Sequence, residues 1–451
     1  MPRQLTPASD ARAVAHATLL RIRRDGAFAD IALAHALGTA RLSGADAAFA
    51  TQLVYGVVAW QGRLDHHLGQ LVRQPLASLD DGVREALQLG LFQLLFLRVA
   101  AHAAVDTSVA LARRGAGAGA AGLVNAVLRR VAAGGPTLLT LPSVKGDPLA
   151  RLAVEWSHPQ WLVERWANEF GIEQLPALLA AHNAPGEITL RTNLRRTSRD
   201  ALASALAAAG VPTHPARFAP AALVVDGHAA HVRTLTSFRD GACSFQGEVS
   251  QLVVDLLDPQ PGERVLDACA APGGKATAIA ERVGPTGQVV ATDLRYGGAR
   301  SIRIAAARLG VAIDPLVVNA AVATLPLAPV FDRVLIDAPC SGLGTLRRHP
   351  EVRWRRTPAD VATLAELQLT ILQRVARLVK PSGTAVYAVC TRTHEETDGV
   401  IAAFLHATPE WRLVAPAPHL PAAVLHDRAL RTMPFTHNLD GFFAVRLQRR
   451  S

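Results

Sequence analysis

Two short stretches end on cysteine in a chain that has only four: LIDAPC stops at Cys340 and VYAVC at Cys390. Each is an apolar run followed at once by polar residues; after Cys390 come TRTHEE, with Glu395 and Glu396. A third cysteine, Cys269, opens the turn CAAPGGK, which carries Lys275, one of only three lysines (with Lys145 and Lys380) in an arginine-rich chain. A compact ammonium survives where a guanidinium does not fit, so Lys275 is a candidate for chemistry. Asp337 lies just before Cys340, and Asp293 closes the run QVVATD, 19 residues beyond Gly274. A lone cysteine is most often a small buried hydrophobe. Two at the ends of apolar runs, beside a glycine-rich turn, point to thiol chemistry.

Three ligands compete for VLDACAAPGGKATAIAERVG, which reads as strand, tight turn and helix start. A phosphate loop needs G-x-x-x-x-G-K-[ST], and here Cys269 replaces the first glycine and Ala276 follows the lysine. The dinucleotide fingerprint G-x-G-x-x-G is absent. S-adenosylmethionine remains, bound on sheets of this kind without a strict triple-glycine pattern. Cys269, Ala270, Ala271, Pro272, Gly273, Gly274 and Lys275 would then cradle it, with Asp293 accepting from the ribose hydroxyls. Asp293 as an ordinary helix cap is the competing reading.

Thiols beside a methyl donor suit a carbon that is a poor nucleophile, such as C5 of cytosine. A thiolate adding to C6 makes C5 an enamine carbon that can take a methyl group. Loss of the C5 proton and expulsion of the thiol then restore the ring. A cation such as Lys275 favours the thiolate. Asp337, protonated or through a hydrogen bond, is the candidate for the N3/N4 edge. The base must leave its stack to reach such a site.

Positioning these groups requires strand ends on one rim. From about residue 250, the runs RVLDACA, QVVATD, PLVVN, DRVLIDAP and GTAVYAVC alternate with amphipathic helices. This predicts an α/β Rossmann-like domain, a parallel sheet with helices on both faces and ligands beyond the strand carboxyl ends. Before the last strand, VATLAELQLTILQRVARLVK aligns Val361, Leu364, Ile371, Val375 and Leu378, and PSG is expected to end the helix. Residues 1–132 show helical spacing throughout, with Arg129 and Arg130 facing outward or toward a partner, and AAGGPTLLTLPSVKGDP (132–148) has the composition of a linker. Residues 150–245 read as a small α+β unit. In it SHPQWLVERWANEFG forms a helix entered at Pro159 with Trp161 and Phe170 inward, and EITLRTNLRR forms a strand. The expected architecture is therefore multidomain: all-α over 1–135, an α+β connector over 150–245, and catalysis over 246–451.

The formal net charge of +10 favours a polyanionic partner such as nucleic acid. No CxxC spacing suggests zinc and no metal is expected, nor does the cysteine count make a disulfide framework. The first 20 residues lack a secretory apolar core, and LGLFQLLFLRVAA (89–101) is too short to span a bilayer. A soluble, cytoplasmic protein without membrane association is expected.

DACAAPGGK, DAPCSGLGTLRRHPEVRW, YAVCTRTHEET and MPFTHNLDGFFAVRL together resemble the signature blocks of the NOL1/NOP2/Sun RNA cytosine-C5 methyltransferases. The first 135 residues resemble the NusB-like RNA-binding domain, through DHHLGQLVRQPL, LGLFQLLFLRVAAHAAVDTSVALAR and GLVNAVLRR. That pairing is the arrangement of the family's bacterial 16S ribosomal RNA branch. The resemblance implies 16S rRNA or a small-subunit precursor as partner, S-adenosylmethionine as cofactor and a monomer. It implies Cys390 as nucleophile and Cys340 as the residue that assists adduct breakdown; spacing alone leaves the two thiols equivalent. It further implies Cys269–Lys275, Asp293 and Asp337 at the cofactor, with Asp337 and Lys275 also touching cytosine. RRHPEVRWRR (347–356), with Trp354 interleaved, is suited to phosphate contact and base stacking. Two departures stand out. V-C-T-R-T-H-E-E-T-D replaces the family's T-C-S-x-x-P-E-E-N-E, and Asn319 stands where the family usually has an aspartate for the adenine amino group. The same chemistry on transfer RNA, and a non-catalytic RNA-binding assembly or antitermination factor, are the alternatives.

Overall fold

The computed structural model describes residues 10–135, 138–143, 146–227 and 232–451; Lys145 and parts of the 132–148 linker lie outside them. The chain forms two units, Met1–Pro185 with Leu346–Arg355, and Gly186–Thr345 with Arg356–Ser451.

The first unit is helical, with helices Ala11–Arg24, Ala29–Thr39, Gly44–Leu71, Asp81–Phe96, Ala101–Gly134, Pro148–Glu155, Gln160–Phe170 and Leu175–Asn183. Asp10, Ser43 and Asp80 cap their helices by accepting backbone N–H groups. Leu53, Leu64, Leu68, Leu87, Leu91 and Leu128 form a fully buried core. Glycine lets helices touch here: a Cβ on Gly56 would lie 2.0 Å from the Phe92 ring. The GAGAGAAG run spans a break between two helical stretches. It lies within Ala101–Gly134, which breaks at Gly117 with φ +85°. Arg129 and Arg130 are exposed, as expected. In Gln160–Phe170 the buried face is Leu162, Val163 and Trp166, not Trp161 and Phe170, because Trp166 packs on His182 with ring centroids 4.7 Å apart.

Leu346–Arg355 completes this unit, which corrects the reading of RRHPEVRWRR as an RNA-contact stretch. Arg353 is fully buried and donates to Ser157 O (3.1 Å), Asn183 Oδ1 (2.7 Å) and His182 O (3.3 Å). Trp354 presses on Gly62, where a Cβ would come within 2.3 Å of its ring. Helix Ala29–Thr39 has no side-chain cap at Phe28; Glu351 supplies one by accepting from Ala29 N at 3.0 Å. Arg355 donates to the carbonyls of Gly26 and Ala27. These side chains satisfy helix ends and loop carbonyls.

The second unit holds two sheets. The smaller one joins β1 (Thr189–Thr192), β2 (Thr213–Pro215), β3 (Ala222–Val225) and β4 (Cys243–Phe245) in the antiparallel order β2-β3-β1-β4. The larger comprises β5 (Arg264–Asp267), β6 (Gln288–Asp293), β7 (Asp314–Val317), β8 (Phe331–Asp337), β9 (Val379–Val389), β10 (Trp411–Leu413), β11 (Leu425–His426), β12 (Ala429–Thr432) and β13 (Phe442–Arg449). Its order is β11-β12-β13-β9-β8-β5-β6-β7, with β10 beside β13. β5 to β9 are mutually parallel, as the alternation predicts, and β10 to β13 add an antiparallel flank.

Strand alternation assigns the two faces. Leu335, Val386 and Ala388 meet helices Glu248–Leu257 and Gly274–Val283 through Leu252, Leu256 and Ile279. Val334, Ile336, Tyr387 and Val389 meet Leu372, Val375 and Phe404 of helices Pro358–Ala376 and Asp398–Ala407. The first of these helices stops at Ala376, and Pro381–Ser382–Gly383 lie inside β9 rather than ending the helix. Gly383 is needed there, since a Cβ would come within 2.9 Å of Asp332 O on β8. The small sheet is tied to helix Gly274–Val283 by the buried pair Arg191–Glu281 (3.0 Å).

Candidate active site

Chain order reverses at β5, which lies between β8 and β6, and this is where doubly wound sheets open a crevice at the strand carboxyl ends. β5 ends at Asp267 and runs into Cys269–Lys275. Gly273 takes φ +105°, and a Cβ there would stand 3.1 Å from Ile302 Cα, so only glycine fits the turn. Helix Gly274–Val283 starts without a side-chain cap. Ala271 and Pro272 are exposed, Gly274 half-buried. An uncapped helix start behind a tight glycine turn is a fitting cradle for a polar cofactor.

Asp293, at the end of β6, accepts from Ala271 N at 3.3 Å and from Arg295 N at 3.0 Å. It does not cap helix Tyr296–Leu309, whose N-cap is Arg295 with no side-chain bond. Its carboxylate is instead fixed against the glycine turn, and Gly298 leaves room for it: a Cβ there would lie 2.4 Å from Oδ1. Asn319, just past β7, is exposed and its Oδ1 accepts from Ala321 N at 3.0 Å. Its oxygen is thus engaged in a local turn.

At the next strand ends the predicted groups meet in pairs. Lys275 Nζ donates to Asp337 Oδ2 at 2.6 Å. Burial opposes the ammonium, but Asp337, with lesser help from Asp267 and Cys390, holds the Lys275 pKa above its ordinary value. Asp337 therefore stands as the acceptor of an ion pair. Cys340 Sγ and Cys390 Sγ are 3.2 Å apart, both free and half-buried. The Cys340 thiol is pushed far up, first by its bond to Cys390, then by burial and by the charges of Cys390 and Glu396. Burial, then the charges of Asp267, Asp337 and Asp293, also pushes Cys269 up.

Two acids at this rim escaped the reading of the sequence as site residues. Asp267 is fully buried and neither carboxylate oxygen has a hydrogen-bond partner; burial, then the charge of Asp337, pushes its pKa up to about 7. An acid inside the apolar run VLDAC was its signal. Glu396, also fully buried, accepts from Ser341 N, Gln368 and Thr393. Only its nearness to Cys390 in sequence hinted at it. No helix among the described residues is long and apolar enough to cross a membrane.

Comparison with known proteins follows this geometry. Residues 254–448 match the family described as 16S rRNA methyltransferase RsmB/F, residues 9–133 the NusB family, and residues 158–231 a Methyltr_RsmF/B-like ferredoxin-like domain. A Synechocystis protein named a probable ribosomal RNA small subunit methyltransferase B is 35% identical over 97% of this chain and 99% of its own. A Bacillus subtilis protein with the same name is 35% identical over 97% and 98%. Among solved structures, PH0851 superimposes with a TM-score of 0.84 at 26% identity, covering 99% of this chain and 100% of its own. NSun6 from Pyrococcus horikoshii, at 19% identity and a TM-score of 0.58, covers 65% of this chain and 98% of its own and shares the fold.

Proposed function

Since the chain belongs to the ribosomal RNA small subunit methyltransferase B family, an RNA methyltransferase dependent on S-adenosylmethionine, we propose that it methylates C5 of a cytosine in 16S rRNA through a covalent Cys390–C6 adduct. The observation that carries this is the thiol pair, 3.2 Å apart at two strand ends of the rim that also holds the 2.6 Å Lys275–Asp337 pair.

Cys269–Lys275, Asp293, Asn319 and Asp337 would hold the cofactor, which when bound supplies a methyl group on a cationic sulfur. The chain's own groups do the rest. Cys390, as thiolate, forms the Sγ–C6 bond and pushes an electron pair to C5. Lys275 favours that thiolate and donates toward charge developing at N3, while Asp337, its ion-pair partner, accepts from the N4 amino group. After methyl transfer, loss of the C5 proton lets the C5–C6 double bond re-form as the Sγ–C6 bond breaks. Cys340 assists that release. In this reading residues 1–135 bind RNA, 150–245 connect and 246–451 catalyse.

The test is incubation of the full chain with methyl-labelled S-adenosylmethionine and naked 16S RNA, followed by nucleoside analysis. Label in 5-methylcytidine is expected. Label only in another nucleoside, label only on transfer RNA in a parallel reaction, or no transfer overturns the reading.

A further inference from the structure

Glu396 is a buried acid that the mechanism leaves unused, and it touches both cysteine loops. Its Oε1 accepts from Ser341 N (2.7 Å), the amide next to Cys340, and from Gln368 Nε2 (2.9 Å). Its Oε2 accepts from Thr393 Oγ1 (2.7 Å), on the loop that follows Cys390. The clamp is doubled. Ser341 Oγ donates to Thr391 Oγ1 at 3.0 Å, and Gln368 also holds Pro339 O at 2.9 Å. Tyr387, buried on β9, donates to Gln368 Oε1 (2.9 Å) and to the Glu396 carbonyl (2.7 Å). Thus every donor to the Glu396 side chain is neutral. Three accepted hydrogen bonds favour the ionised form of a carboxylate. Its charge is solvated by dipoles and remains felt nearby.

We propose that Glu396 is the positioning residue of the thiol pair: it locks the Cys340 loop to the Cys390 loop, and its negative charge keeps the pair's proton on Cys340, so that Cys390 is the sulfur that ionises. The charge sits beside the amide that follows Cys340, where a second negative charge is disfavoured. The raised pKa of Cys340 agrees, Glu396 being among its causes. On the Cys390 side stands a charge of opposite sign, Lys275, whose ammonium is stabilised in part by that sulfur. Arg356 donates to Ser341 O at 3.0 Å, which steadies the backbone of the Cys340 loop. Two sulfurs that spacing leaves equivalent thereby receive different roles.

The inference rests on the two-thiol reading of the site, but its readout is independent of methylation. The full chain is treated with limiting iodoacetamide at neutral pH and the labelled cysteines are mapped by peptide mass spectrometry. Labelling of Cys390 over Cys340 by about tenfold or more is expected. Glu396→Gln should bring the ratio toward unity, whereas Glu396→Asp, which keeps the charge, should retain most of the preference. Glu396→Gln should also lower kcat with KM for RNA and for S-adenosylmethionine little changed, and Glu396→Asp should recover part of the loss. An unchanged ratio in a folded Glu396→Gln, or equal loss of preference in both variants, overturns the proposal. If only the aspartate variant folds, its ratio decides: loss of preference with the charge present refutes the charge assignment. Absence of methylation by wild type would sink the functional reading instead and leave this ratio interpretable.

Discussion

Cys340 Sγ lies 3.2 Å from Cys390 Sγ, within thiol hydrogen-bond range and well beyond the roughly 2.05 Å of a disulfide. A hydrogen bond between two free thiols lets the two sulfurs take separable tasks. Cys390→Ala should abolish methylation and leave no covalent RNA complex. Cys340→Ala should accumulate a protein–RNA adduct that survives denaturation. Denaturing gel electrophoresis with labelled RNA checks both; exchanged phenotypes would reverse the assignment.

Lys275 and Asp337 should act as a unit, being paired at 2.6 Å. Lys275→Ala and Asp337→Ala should each lower kcat by about 100- to 1,000-fold, the usual loss for one electrostatic group. The double variant should fall far short of the product of the two. Steady-state kinetics of all three proteins measures this.

Asp267 ionises near pH 3.8 when unfolded but at about 7 when folded. Between those values the folded protein keeps a proton that the unfolded chain has released, so stability falls as pH rises from about 4 to about 7 and is level above. Asp267→Asn should therefore raise the Tm at pH 8 more than at pH 5, as differential scanning fluorimetry would show.

His182 is held down to about 3 by burial and by Arg353, and His158 is also lowered, by burial first. Both stay neutral in the folded protein while the unfolded chain protonates near 6.5. Their contribution is intact above 6.5 and is lost as pH falls toward about 3, by up to about 1.4 kcal/mol per pH unit for each. Urea unfolding followed by tryptophan fluorescence at pH 7.5, 6.5 and 5.5 should show the loss. His182→Gln should flatten the slope.

Arg353→Ala should destabilise the helical unit by about 3–5 kcal/mol, because three buried acceptors on Ser157, His182 and Asn183 lose their donor. Arg353→Lys, lacking the planar fork, should recover only part. Urea midpoints at constant pH compare the three.

The strand carrying Cys390 was legible because burial on both faces makes VYAV continuously apolar, and the turn at Gly273 because little but glycine fits it. The clamp between the two cysteine loops was not, because it depends on Glu396 meeting the Ser341 amide across 55 residues. RRHPEVRWRR misled for the same reason. Local charge reads as solvated or ligand-facing, but the carbonyls that take up Arg353 lie more than 170 residues earlier in the chain. Asp267 was quoted within its motif and passed over, since its complete burial is a property of packing and not of spacing.

Leu346–Arg355 also sets an order of events during synthesis. A helical unit built from the first 185 residues would be expected to fold first as the chain leaves the ribosome. Here it must wait: the seat formed by Ser157, His182 and Asn183 stays unfilled, and helix Ala29–Thr39 lacks its cap, until residue 355 has emerged. By then Cys340 has already been made. Truncation near residue 185 therefore removes a piece of the helical unit along with the catalytic one, and a faithful version of that unit needs the ten-residue segment Leu346–Arg355 restored to it.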